Sequence, residues 1–143
     1  MDIGRTALQA AAGMGNIDLI EILLEVGADA NAPPAPRRGV TALQAAAIKG
    51  YIRVAQLLLD AGADVNAAPA AKEGRTALQG AAEHGRIDML QLLINAGADI
   101  YSSGYDRAIE LATEYGHSAA CTLLNRCRSE GMVSGYNPQI PSG

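Results

Sequence analysis

Two histidines, two cysteines and fifteen carboxylates are the side chains with which this chain could do acid–base, nucleophilic or metal chemistry. His84 stands beside Glu83 and four residues before Asp88, a spacing that would set an imidazole and a carboxylate on one helical turn as a proton-transfer pair. Gly85 lies between them and ends that helical pattern, so the pair does not share a face. Cys121 and Cys127 are separated by about 600° of helix, point to different faces and do not suit a disulfide. They read as reduced thiols of an intracellular, cytoplasmic protein. No Gly-rich phosphate loop, metal-ligand spacing or nucleophile with a base at fixed distance is present. The sequence therefore predicts no catalytic residue, no cofactor and no metal, and a chain that is not an enzyme.

What would position these residues is a repeated element. "TALQAAAGMG", "TALQAAAIKG" and "TALQGAAEHG" begin at Thr6, Thr41 and Thr76, and Gly4, Gly39 and Gly74 keep the same 35-residue step. A period of this size marks a stacked array. Each phrase predicts a short helix whose Thr and Gln, three apart, form a capping box: Thr6/Gln9, Thr41/Gln44, Thr76/Gln79. The alanines that follow give a small-residue face. After the glycine, "IDLIEILLEVGAD" predicts a second, Leu-rich helix closed by Gly27. One such pair cannot bury its apolar face alone, whereas stacked copies can. Half of the chain is apolar, yet Trp and Phe are absent, as thin, closely packed layers require.

These residues resemble the ankyrin repeat family. Gly74, Thr76, Leu78, Ala81, Ala82, Gly85, Leu92, Leu93, Gly97, Ala98 and Asp99 match the family phrase in order, and the likeness covers about residues 4–128. It implies an all-α solenoid of helix-turn-helix units joined by long loops, at about 4–38, 39–73, 74–104 and 105–128, with residues 129–143 as a mobile tail. Ala7, Ala42 and Ala77 replace the family's proline, and Gln9, Gln44 and Gln79 its histidine. His117 matches a family histidine with a structural role. Asn31 and Asn66 sit where some members are hydroxylated, and an asparagine bonding its own turn is the simpler expectation. In the degenerate fourth unit Arg107 replaces the opening Thr, and Asp106 is expected to cap the helix. The loops "NAPPAPRRG" and "NAAPAAKEG" look like those of long fungal arrays that sit behind a NACHT-type signalling ATPase.

The resemblance also implies a function, protein–protein interaction through the concave face and loop tips. Those positions vary between units while the skeleton repeats. They are Gly13, Met14, Ile48, Lys49, Glu83, His84, Glu114 and Tyr115 near the inter-helix glycines, and Arg37, Arg38, Val40, Lys72 and Arg75 at the tips. With Arg5, the tips form a basic edge opposed locally by Glu73 alone, whereas Asp18, Glu21, Glu25, Asp60 and Asp88 lie on the second helices. The expected partner is another protein, or a different domain of the same native protein. A net charge of −4 and a pI near 5 argue against nucleic acid. The opening "MDIGRT" lacks a signal-peptide pattern, and no run approaches the roughly 18 apolar residues of a membrane span. Leu8, Ile17, Leu19, Ile20 and Ile22 make the first unit too apolar for an end, so a longer array or self-association is expected. A regulatory segment of a larger signalling protein, or a groove for a small molecule, are the alternatives.

Overall fold

The computed structural model describes residues 6–133, which form eight helices in four antiparallel pairs. The pairs are α1 (Ala7–Met14) with α2 (Ile17–Glu25), α3 (Ala42–Lys49) with α4 (Ile52–Asp60), α5 (Ala77–Glu83) with α6 (Ile87–Asn95), and α7 (Ser103–Glu114) with α8 (Ser118–Val133). Thr6, Thr41 and Thr76 each take the extended N-cap conformation and accept from the backbone of Gln9, Gln44 and Gln79, whose side chains reach back to the cap N–H. All three predicted capping boxes are present.

The odd-numbered helices carry the small residues and pack closely on one another, while the Leu-rich even-numbered helices meet only sparsely. Close approach on one side and splaying on the other bends the stack, so the odd-helix side is concave. Ala11, Ala46, Ala81 and Ala112 occupy one register and are fully buried there, because a methyl group is the largest side chain that lets neighbouring backbones come this near. Leu58, Leu90, Leu93 and Leu124 fill the wider space between odd and even layers.

Three polar devices tie the loops to this frame. Gln9 Nε2 donates to the carbonyls of Ala32 and Pro33 (3.0 Å each), Gln44 Nε2 to those of Ala67 and Ala68, and Gln79 Nε2 to that of Gly104. The buried amide thus caps a helix and pins the outgoing loop, a use that needs both its donor and its acceptor. Asn31 and Asn66 do not bond their own turns as expected. Asn31 Nδ2 donates to Gly62 O (2.9 Å) and its Oδ1 accepts from Asp64 N–H (2.7 Å), one unit further on. Asn66 repeats this with Gly97 and Asp99. Asp29 and Asp64 serve the turns instead, accepting from the N–H of Asn31 and Asn66. At the tips, Lys72 N–H donates to Pro36 O and Arg38 N–H to Lys72 O, so neighbouring loops are bonded side by side. A Cβ on Gly39 would stand 2.3 Å from the Ala35 backbone, and one on Gly74 the same from Ala70, which explains the periodic glycine.

The fourth unit departs from the sequence expectations. Its first helix begins at Ser103, before the expected boundary at 105, with Ser102 as N-cap. Asp106 therefore lies inside the first turn and accepts from Arg128 Nη1 rather than capping. Helix α8 runs on to Val133, past the expected domain end at 128. Arg128 is held by Ile100 O (2.7 Å) and lies 4.6 Å from the Tyr105 ring centroid, anchoring the helix just before the residues expected to be a tail. Gly131 then passes so close to Ile100 and Tyr101 that a Cβ would meet them at 2.8 and 2.9 Å. The rest of the expected tail, 134–143, lies outside the described residues. Tyr105 is buried and donates to Leu124 O (2.7 Å). Burial pushes its phenol up to about 12, assisted by Cys127 and opposed by Arg128. Cys121 and Cys127 are both free thiols.

Candidate functional site

The concave side presents one row of unlike side chains on identical layers. Met14, Lys49, His84 and Tyr115 end the four odd helices in the same register, and all are exposed, Met14 at 64 % and Tyr115 at 54 %. Their backbones are fixed by the turns beneath. The residue after each inter-helix glycine reaches back over the preceding unit: Tyr51 covers Gly15, Arg86 covers Gly50 and donates to Ile48 O, and His117 covers Gly85. His117 Nε2 lies 3.0 Å from Glu83 O, a structural contact, and His84 Nδ1 lies 3.0 Å from Gly80 O in its own helix.

The neighbouring row is filled differently in each unit. Ile48 is half-buried rather than freely exposed, because it leans on Gly80, where a Cβ would come within 2.6 Å of Ile48 Cγ1. Glu83 is bonded to Arg75 at 2.8 Å, and Glu114 to Arg107 at 3.0 Å. Gly13 leaves its place empty: a Cβ there would touch only Ala45 Cβ at 4.0 Å. The result is an open notch of about 210 Å³ between α1 and α3, lined by Met14, Val40, Ala45, Ile48 and Lys49 among others.

The basic edge is smaller than the composition of the tips suggests. Arg38 pairs with Glu73 at 2.8 Å, and Arg75 is engaged by Glu83, a carboxylate that sequence distance concealed. Arg37, Lys49 and Lys72 are exposed and make no ion pair among the described residues. Arg5 lies outside the described residues. Asp18, Glu21, Glu25, Asp60 and Asp88 are exposed on the even helices, so negative charge is gathered on the opposite side. Among the described residues no group of three or more His, Cys, Asp or Glu is placed to hold a metal ion, and no helix is long and apolar enough to cross a membrane.

The family description "Ankyrin repeats (3 copies)" matches residues 1–69, and "Ankyrin repeat" matches residues 73–105. The chain belongs to the ankyrin repeat family. A search of curated proteins finds no match. Ankyrin repeats are generally protein–protein interaction modules and typically non-catalytic. The family matches end at residue 105, yet α7 and α8 stack on α5 and α6 as a fourth ankyrin pair. Sequence reasoning took in the exposed row of this ankyrin groove and placed Gly13 beside Met14 in it, but read no notch there and did not single out Ala45, which forms part of its lining. The signal lay in the aligned units, where Gly13, Ile48 and Glu83 share one position and Gly13 alone of the three lacks a side chain.

Proposed function

We propose that this ankyrin domain binds another protein across its concave face and loop tips. The observation that carries this reading is the row Met14–Lys49–His84–Tyr115: four exposed, chemically different side chains at one register of a frame that buries an alanine at the same place in every layer, Ala11, Ala46, Ala81 and Ala112. Surfaces of this kind concentrate binding in a few anchors held by rigid neighbours. A photo-crosslinking residue at position 115 or 49 tests it in extract of the source organism. Protein adducts should form there and not with the crosslinker at position 60 on the outer helix α4. Equal labelling at both places would remove the concave face as the binding side.

A second reading rests on the first unit. Ile22 and Val26 are 55 % and 75 % exposed, and Ala7 is exposed where Ala42 and Ala77 are buried. An apolar face of this kind suits contact with another helix pair. The pair would come from a second copy or from another domain of a larger signalling protein of the NACHT type, with this chain as its regulatory segment. Light scattering over a concentration series separates the two, since only self-association raises the mass.

A further inference from the structure

We infer that the notch at Gly13 is an anchor site for one branched aliphatic side chain of an acidic, extended partner segment. This rests on the concave-face reading and names its partner chemistry. The molecule itself shows what the position accepts. One layer along, the equivalent residue is Ile48, and its side chain fills the space over Gly80. Another layer along, Glu83 takes the place and is engaged by Arg75. Only at Gly13, among the described layers, does the chain supply no side chain, and about 210 Å³ stays open between Met14, Val40, Ala45 and Ile48. A partner's isoleucine or leucine entering there would meet methyl and methylene groups on both walls and the Ala45 methyl group on the floor.

Charge selects the rest of the segment. Among the described residues Lys49 stands at the rim without an ion pair, and Arg37 and Lys72 on the adjoining tips make none either. The acidic residues of the even helices face away. Carboxylates flanking the aliphatic anchor would therefore meet three free cations, which steers association and fixes register.

The test uses the 143-residue chain labelled with 15N and three synthetic pentapeptides with blocked ends: Glu-Glu-Ile-Glu-Glu, Glu-Glu-Ser-Glu-Glu and Lys-Lys-Ile-Lys-Lys. The first should shift the amides of Gly13, Met14, Val40 and Ala45 in a saturable way. The other two should bind about tenfold more weakly or worse, through loss of the buried side chain or of the charge match. Gly13→Ile, which fills the notch from within, should abolish the response while the spectrum stays dispersed. Lys49→Glu, an exposed change with no folding risk, should weaken the acidic peptide about tenfold. Equal binding of the Ser peptide, an unaltered response in both variants, or no saturable shift at all would overturn the anchor. Shifts confined to the Glu114–Tyr115 end would overturn the anchor but leave the concave-face reading standing. Shifts on α2 and α4 would remove both.

Discussion

The two ends of the stack are built to opposite rules. At the α7/α8 end, positions that would face a further layer are polar and satisfied: Arg107 bonds Glu110 and Glu114, and Arg128 bridges to Asp106 and covers Tyr105. At the α1/α2 end, the residues are those of an interior layer. Leu19 and Leu23 match Val54 and Leu58 in register, yet they are half-buried where the later pair is fully buried. A repeat's sequence therefore encodes the surface it presents: the α7/α8 pair carries paired polar side chains where the α1/α2 pair carries apolar ones.

The sharpest way to break this contrast is to empty the same register in the first unit and in the interior unit beside it. Leu58→Ala should cost about 3–4 kcal/mol, because the surrounding layers cannot close on the cavity, and Leu23→Ala about 1–2 kcal/mol. Urea unfolding of both variants checks it, and equal losses would mean that the first unit is as enclosed as the second. A smaller effect comes from the finished end. The Tyr105 phenol is held near 12 against 10 in the unfolded chain, so its contribution is complete below pH 10. It fades between pH 10 and 12, since there the unfolded chain releases the proton first. About 2 kcal/mol should disappear over that window in a pH series of melts, and Tyr105→Phe should flatten this part of the curve. The smallest effect belongs to the open end. Ile22→Lys should change stability by no more than about 0.5 kcal/mol if that face meets only water. A large loss, or a fall in mass by light scattering, would instead mark it as an occupied interface.

Much of this was legible in the residues. The 35-residue step predicted the layers, and the Thr–Gln spacing predicted all three capping boxes, because both are local patterns that survive without tertiary context. Contacts set by the path of the chain rather than by a local pattern were not legible. Arg75 and Glu83 are eight apart and meet only because the chain passes from tip to helix end between them, so the basic edge looked larger than it is. Asn31 was expected to serve its own turn, but Asp29 already does so, which frees the amide for the next unit. Helix α8 outran its expected end because Ser129 and Gly131 have weak helix preference, and the contacts holding it come from Ile100, Tyr101 and Asp106, far back in the sequence. The notch was hidden for the opposite reason: a missing side chain announces itself only against copies that possess one.

The succession of layers also has a consequence in time. Every closely packed pair of helices in this molecule belongs to the same unit or to adjacent ones. The contacts between units close loops of about one repeat rather than of the whole chain, so the search for the native arrangement is short and can start at any junction. Among the described residues the α1/α2 pair packs on one other pair and turns apolar side chains outward on its other side. It should be the last to dock and the first to fray, opening and closing many times for each global unfolding event. The lining of the Gly13 notch comes from both sides of that junction, from Met14 on α1 and from Ala45 and Ile48 on α3. Whatever seats itself there would also slow the rate at which the array comes apart.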